Sequence, residues 1–213
     1  MNWALGLDLG TSSAKAVVTD TVGRVLSQAS AGYAVTSTMA GYAESEPAHW
    51  WSAVTACARE AVQGAAGARP SGIGPSGIGP SGIGLSGQMH GLVLASAGGR
   101  ALRPALLWAD SRATGALRGY RRLGPDALAR LANPLAPGMT GPLLMWVAEN
   151  EPRTYAEARW ALHLIVAISC ALCSAARSAS SISDAMRIGT SILFKSCAMP
   201  PANAPMLSIR CAR

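Results

Sequence analysis

An acid, a glycine and three hydroxyl side chains lie close together near the start of the chain. The stretch reads, in order, Asp8, Leu9, Gly10, Thr11, Ser12 and Ser13. Apolar runs at 3–7 and 16–19 flank it, so it is predicted to form the tip of a β-hairpin. Gly10 lets the chain turn and approach a ligand closely. Backbone N–H groups in such a turn can bind an anion, and Asp8 can hold a hydrated Mg²⁺. The stretch therefore predicts a phosphate cradle.

Other known motifs fit this stretch less well. The chain has no G-x-x-x-x-G-K-[ST], which excludes a P-loop. No G-x-G-x-x-G directly follows the first strand, which excludes a dinucleotide fingerprint there. Residues 12–15 match S-x-x-K, the nucleophile pattern of β-lactamases, but the S-D-N and K-T-G companions are absent. The alternative that stays open is an ordinary hairpin turn, which takes Gly, Asp and Ser for conformational reasons alone.

Composition bounds the class of protein. The 213 residues are enough for one domain of ordinary size or one and a half. Half of them are apolar, so a hydrophobic core can form. The net charge of +7 is divided into +3 over 1–162 and +4 over 163–213, without a basic stripe, which argues against nucleic-acid binding. The longest apolar stretch has about 13 residues, whereas a membrane span needs about 20. Without a signal peptide, a cytoplasmic protein with no membrane partner is expected.

The elements that must position the hairpin tip follow from apolar periodicity. We expect a third strand over 25–35 and a helix over about 48–62. The helix would place four residues on one face, Trp50, Val54, Cys57 and Ala61. Further on, we expect short strands on either side of a polar break at 88–90 and another strand that ends at Trp108. Helices are expected over 113–123, 126–131, 143–149 and 155–162. Hairpin-connected strands followed by a helix predict an α/β or α+β layered domain.

Residues 70–84 repeat Pro-Ser-Gly-Ile-Gly three times. A period of five matches neither collagen nor a solenoid, and units rich in Pro and Gly cannot bury a face. We interpret the repeat as an expanded loop that arose by slippage in a repetitive DNA tract, because long surface loops cost little stability.

Five segments, in the same order over about 160 residues, resemble the N-terminal domain of the FGGY carbohydrate kinases, and within that family the xylulokinase group. They are Asp8-Leu9-Gly10-Thr11-Ser12, Glu44-Ser45-Glu46-Pro47 with Trp50-Trp51, Ser86-Gly87-Gln88-Met89-His90-Gly91, Leu107-Trp108-Ala109-Asp110-Ser111-Arg112, and Leu144-Met145-Trp146 through Glu149-Asn150-Glu151-Pro152. The third segment favours xylulokinases over glycerol or gluconate kinases.

The resemblance implies an α/β, actin-like, ribonuclease-H-like fold with two such domains and a cleft, of which this chain holds the N-terminal one. It implies ATP and Mg²⁺ as cofactors and a small sugar, D-xylulose, as substrate, with ribulose, L-fuculose and glycerol as alternatives. A homodimer is among the states open to the full-length protein. The residues it implies for phosphate and Mg²⁺ are Asp8, Gly10, Thr11, Ser12 and Lys15. The residues it implies for the sugar are Gln88, Met89, His90, Trp108 and Asp110.

Two candidates have ordinary structural explanations when the resemblance is set aside. A lone histidine after a strand, such as His90, is typical of a structural hydrogen bond, and a large aromatic such as Trp108 is typical of packing. His49 and His163 belong to no motif, and we interpret them as surface or packing residues.

The resemblance ends after about residue 162. Four of the five cysteines follow that point, Asp184 is the only later acid, and no Gly-Gly-Gly-Asp-like segment occurs, so no catalytic residue is assigned. The C-x-x-C at 170–173 lacks a second pair for a zinc site. We interpret 1–162 as the kinase N-terminal domain and 163–213 as a frameshifted or disordered tail. The chain is expected to be inactive alone; the alternative is a non-catalytic sugar- or phosphate-binding module.

Overall fold

The computed structural model describes residues 3–67, 80–131 and 134–169. Within them the chain forms, in order, β1 (Trp3–Leu9), β2 (Ser13–Asp20), β3 (Val25–Gly32), β4 (Glu44–Ser45), α1 (Pro47–Gly67), β5 (Gly82–Gly87), β6 (Val93–Ala95), β7 (Ala105–Leu106), a 3-10 helix (Arg112–Ala116), α2 (Leu117–Tyr120), α3 (Pro125–Leu131), α4 (Thr140–Asn150), α5 (Pro152–Glu157) and β8 (Trp160–Leu162). These elements belong to two compact units. Among the described residues, the first comprises 3–34, 46–67, 80–88 and 168–169, and the second comprises 35–45, 89–131 and 134–167.

The first unit is built on a four-stranded mixed sheet with strand order β3-β2-β1-β5. The pairs β1–β2 and β2–β3 are antiparallel, as expected for strands joined by tight turns. The pair β1–β5 is parallel. A parallel pair needs a crossover connection, and α1 lies in the connection that precedes β5.

The helix α1 covers one face of this sheet. Successive side chains of a strand point to opposite faces, so alternate residues of β1 and β2 share the covered face. The buried ones are Leu5, Leu7, Leu9, Ala14, Ala16 and Val18. The four helix residues expected on one face, Trp50, Val54, Cys57 and Ala61, are all buried, which confirms that prediction. Burial also raises the pKa of the Cys57 thiol to about 11.

The second unit contains two small antiparallel sheets, β4–β7 and β6–β8. Its apolar core consists of Leu92, Leu94, Leu106, Ala113, Ala116, Leu143 and Val147. Leu143 and Val147 lie four residues apart on α4, so they share one face of that helix. No helix of the described chain is both long enough and apolar enough to cross a bilayer.

Some sequence-based boundaries are wrong. The helix expected over 155–162 is instead the short α5 followed by β8, because 160–162 pair with β6 and this long-range pairing overrides local preference. The helix expected over 113–123 divides into the 3-10 helix and α2. The third strand ends at Gly32 rather than at residue 35.

The repeat and the tail are described only in part. The stretch 70–79 lies outside the described residues, whereas the end of the last copy, Gly82 to Gly84, belongs to β5. Of the segment assigned to the tail, 163–169 is described; it is helical over 164–169, where Leu164, Ala167 and Ile168 are buried. The rest of the tail, including the C-x-x-C, lies outside the described residues.

We expect Trp50→Ala to lower the free energy of unfolding by about 3–5 kcal/mol, because the indole is fully buried and its removal leaves a cavity. Urea denaturation measures the change. The matched control is Val22→Ala, at an exposed turn, with an expected effect within about 0.5 kcal/mol. Equal losses in the two variants would contradict the assignment of Trp50 to the core.

Candidate functional site

A row of polar side chains crosses the face of the first sheet that α1 does not cover. Since Leu7 faces the helix, its neighbour Asp8 points to the opposite face. The strand register places Lys15 and Ser86 on either side of Asp8, and Ser30 next to Lys15. Side chains directly opposed on neighbouring strands have Cβ atoms about 5 Å apart. The row therefore brings a carboxylate and an ammonium group together, with a hydroxyl at each end.

This face of the sheet forms an open groove of about 850 Å³. Gly6 and Gly84, which lie in the next cross-strand row, carry no side chains, and the Val17 side chain on the neighbouring strand leans over Gly6. Asp8 and Lys15 line the groove. A phosphate group or a hydrated cation bound at the polar row would have room above the sheet.

The hairpin tip between β1 and β2 is held by hydrogen bonds from three directions. The Gly10 N–H donates to Ser13 O at 3.0 Å and closes the turn. The Tyr33 N–H donates to Ser12 O at 2.9 Å, and the Tyr33 hydroxyl donates to Gly10 O. The Gln88 side-chain N–H donates to the same Gly10 O at 2.7 Å. The tip is therefore fixed from β3 and from the end of β5 as well as internally.

The Tyr33 hydroxyl stays protonated over a wide pH range and can therefore act as the donor in this hydrogen bond. Burial raises the pKa of Tyr33 to about 12, the negative charge of Asp8 adds to the rise, and the hydrogen bond with Gln88 opposes it. The ring packs against Trp50 with centroids 6.4 Å apart. At neutral pH the hydroxyl is thus neutral and available to donate.

In the second unit, Gly91 shapes the turn that carries His90. Its φ of +96° lies in the left-handed region that glycine favours. A Cβ at Gly91 would lie 2.6 Å from Leu106 O and 2.5 Å from a Leu164 methyl carbon. Only glycine therefore fits this turn.

Two side chains hold the carbonyl groups on either side of His90. Thr140 Oγ1 donates to Gly91 O at 2.7 Å, and His163 Nδ1 bonds to Met89 O. Because a carbonyl oxygen only accepts, the proton of the neutral His163 ring lies on Nδ1. The backbone that presents His90 is thus tied to the start of α4 and to the end of β8.

His90 and His163 line one pocket of about 180 Å³, with ring centroids 6.3 Å apart. Tyr120 and Thr140 add hydroxyl groups to the lining. At about 30 Å³ per water molecule, the volume equals that of about six waters. The rest of the lining is mostly apolar, so the pocket offers a few polar groups within an apolar wall.

Trp108 lies on the loop after β7, and its side chain is 53% exposed. A Cβ at Gly138 would lie 1.7 Å from Trp108 O, so the two backbones approach too closely for any other residue at Gly138. The loop is tied down on both sides, since the Leu107 N–H donates to Ala43 O and the Asp110 N–H donates to Leu107 O. The loop therefore presents a large apolar ring from a fixed backbone.

Asp110 is fully buried, and its carboxylate binds groups of the protein itself. It accepts hydrogen bonds from the Ala43 N–H at 2.8 Å, the Arg112 N–H at 2.9 Å and Arg112 Nε at 2.9 Å. Arg112 also forms an ion pair with Glu44 at 2.6 Å. The expected sugar contact of Asp110 stays a prediction, because the contacts described for this carboxylate all lie within the protein.

The Arg112 guanidinium lies over two aromatic rings that are nearly perpendicular to each other, with an interplanar angle of 82°. It lies 3.7 Å from the centroid of Tyr42 and 4.9 Å from that of Trp146. Burial alone lowers the pKa of Arg112, but the hydrogen bonds and charges of Asp110 and Glu44 outweigh it and raise the pKa above its ordinary value. Arg112 is thus a permanent buried cation.

Sequence reasoning missed three residues that hold the candidate site, Tyr33, Thr140 and His163. His163 was interpreted as a surface or packing residue, and it instead contacts the Met89 carbonyl. The three side chains reach partners 23, 49 and 74 positions away in sequence. A single sequence carries no signal of such contacts.

The comparisons with known proteins agree with this architecture. A family model described as "FGGY family of carbohydrate kinases, N-terminal domain" matches residues 3–194, which extends past the domain boundary predicted at 162. The chain belongs to the FGGY family of carbohydrate kinases. The predicted α/β, actin-like fold is thereby confirmed.

The individual proteins to which the chain is similar include several xylulose kinases. The chain is 34% identical over 156 residues to the xylulose kinase of Bacillus subtilis, covering 73% of this chain and 30% of that protein. It is 34% identical over 160 residues to the xylulose kinase of Lactococcus lactis, covering 75% and 30%. The crystal structure of xylulose kinase from Rhodospirillum rubrum matches with a TM-score of 0.68 and 27% identity, covering 76% and 32%. The chain thus spans about 30% of the length of the curated relatives it matches.

We expect Tyr33 to contribute a pH-dependent part of the stability. An unfolded tyrosine has a pKa of about 10 and Tyr33 in the fold about 12, so the contribution is complete below pH 10 and is lost as the pH rises through 12. Urea unfolding at pH 9 and pH 11 should show a larger loss in the wild type than in Tyr33→Phe. The same loss in both proteins would contradict the assigned pKa.

Asp110→Asn should lower the free energy of unfolding by about 3 kcal/mol, because it leaves the buried Arg112 with Glu44 as its remaining ion-pair partner. Thermal and urea unfolding measure the effect. Asp126→Asn, an exposed carboxylate in the first turn of α3, is the matched control and should change stability by about 0.5 kcal/mol or less. An Asp110→Asn variant as stable as the control would show that the network is not needed for the fold.

Proposed function

We propose that the chain is the phosphate- and sugar-binding part of a xylulose kinase, which transfers the γ-phosphoryl group of ATP to a hydroxyl group of D-xylulose. The names of the curated relatives support this substrate. The observation that carries the proposal is the segment 88–91, because it contributes Gln88 to the hairpin tip and His90 to the pocket that Thr140 and His163 also line. A kinase needs both a phosphate site and an acceptor site.

At the phosphate end, the proposal assigns Asp8, Gly10, Thr11, Ser12 and Lys15 to the phosphates and Mg²⁺. The side-chain chemistry fits, since a half-buried carboxylate suits a hydrated Mg²⁺ and an exposed ammonium next to it suits phosphate oxygens. The hydroxyls of Thr11 and Ser12 are exposed at the tip and can donate hydrogen bonds. When bound, Mg²⁺ and ATP supply the phosphoryl group and the neutralising charge.

At the sugar end, the proposal assigns Met89, His90 and Trp108 to direct contacts. The imidazole of His90 can donate or accept a hydrogen bond with a sugar hydroxyl. Met89 and Trp108 are exposed apolar side chains that can cover the carbon skeleton of the sugar. Asp110 serves this end through the loop that carries Trp108.

Ribulose, L-fuculose and glycerol are alternative substrates, because they also present hydroxyl groups to a histidine. A titration panel with these ligands separates the alternatives. Tightest binding of D-xylulose supports the proposal, and tightest binding of another ligand replaces the substrate while retaining the kinase class.

We expect D-xylulose to bind the 213-residue chain weakly and His90→Ala to weaken it about tenfold, because one hydrogen bond to the sugar is lost. Isothermal titration calorimetry measures both. His49→Ala, an exposed histidine on α1, is the matched control and should bind as the wild type does. Equal affinities of the His90 and His49 variants would refute the sugar site.

The second experiment concerns turnover. We expect the purified 213-residue chain to convert no D-xylulose with ATP above the background of Asp8→Ala, because the chain spans about 30% of its relatives and holds no Gly-Gly-Gly-Asp-like segment. A coupled ADP-release assay measures the rate. Turnover above that background would show that the 213-residue chain carries its own base.

A further inference from the structure

We propose that Tyr33 and Gln88 are positioning residues of the phosphate site, which together hold the Gly10 carbonyl and so set the direction of the Gly10–Thr11 peptide group. The inference rests on the proposed function, since it concerns the hairpin tip as a phosphate site. Neither residue needs to touch the phosphate; both act through the backbone of the tip.

Tyr33 holds the tip at two points. Its N–H donates to Ser12 O at 2.9 Å and its hydroxyl donates to Gly10 O, so one residue sets two peptide groups of the turn. Tyr33 directly follows the last residue pair of β2 and β3, Ser13 with Gly32. Its ring rests against the buried Trp50 of α1. The hydroxyl is therefore delivered from a rigid support.

Gln88 holds the same place from the other side of β1. It directly follows β5, and its backbone N–H donates to Leu9 O at 3.0 Å while its side-chain N–H donates to Gly10 O at 2.7 Å. The residue is 9% exposed. The side-chain amide of Gln88 was expected at the sugar, but it binds the hairpin tip instead. Gln88 therefore has a role of its own within the motif.

The two donors matter because Gly10 alone would not hold the peptide. Glycine reaches backbone conformations closed to other residues, so the Gly10–Thr11 peptide can rotate at low cost. In a planar trans peptide the C=O of Gly10 and the N–H of Thr11 point in opposite directions. With the carbonyl drawn toward Tyr33 and Gln88, the orientation of the whole Gly10–Thr11 peptide group is fixed. The two side chains thereby prearrange the backbone of the tip, and prearrangement lowers the free-energy cost of binding.

The test compares two ligands on the full 213-residue chain. Titration calorimetry measures the affinity for Mg²⁺ with inorganic pyrophosphate, which reports on the tip, and for D-xylulose, which reports on the pocket. Tyr33→Phe and Gln88→Met each remove one donor to Gly10 O, and each should weaken pyrophosphate binding about three- to tenfold while leaving sugar binding unchanged. The Thr11 amide resonance in ¹⁵N spectra should move in both variants. Tyr155→Phe, which removes a hydroxyl in the second unit, is the matched control and should change neither affinity.

The outcomes are distinguishable. If the wild type binds no pyrophosphate, the phosphate site of the proposed function fails. If the wild type binds it and both variants bind equally well with an unmoved Thr11 resonance, only the positioning role is overturned. If one variant does not fold, the other decides. If both fail to fold, or weaken the two ligands alike, the donors serve general stability and the positioning proposal is overturned.

Discussion

The alternation of apolar residues along β1 is the constraint on which the first unit depends. Burial of Leu5, Leu7 and Leu9 under α1 determines which way every other side chain of the strand points. A slip of one residue would exchange the two faces, so the register of β1 is tied to the formation of the core. Asp8 therefore reaches the open face, opposite Lys15, as a consequence of folding. The polar row needs no separate ordering step.

The second unit is organised by a buried charge as well as by apolar packing. A guanidinium removed from water is tolerated only when it is paired, so Arg112 requires Asp110 and Glu44 in place. The cation–π contacts of Arg112 with Tyr42 and Trp146 add further geometric demands. The segment 42–44, the loop before the 3-10 helix and α4 are thereby held in one arrangement. Such networks favour a unique arrangement more than they add stability, and Trp108 lies within the loop that this one holds.

The parts of the fold that sequence predicts are those with a local pattern. Apolar residues recur about every two positions in the first hairpin and about every four in α1. Both elements were expected near their observed bounds. By contrast, β8 has three residues and exists because β6 is available to pair with it, which no local pattern encodes. The same limit applies to the site. The motif predicted an acid at the hairpin tip, whereas Asp8 lies within β1 and is paired there with Lys15. Tyr33 and His163 act through partners far along the chain.

The segment 88–90 shows why a motif of consecutive residues need not be one binding site. Sequence analysis treated Gln88, Met89 and His90 as a group that faces the sugar. In an extended chain successive side chains point to opposite sides, so neighbouring residues meet different surroundings. Here the Gln88 amide binds the Gly10 carbonyl, the Met89 carbonyl binds His163, and the His90 ring lines a pocket. Each residue has a separate structural reason for its type, so the order Gln-Met-His does not by itself define a single site.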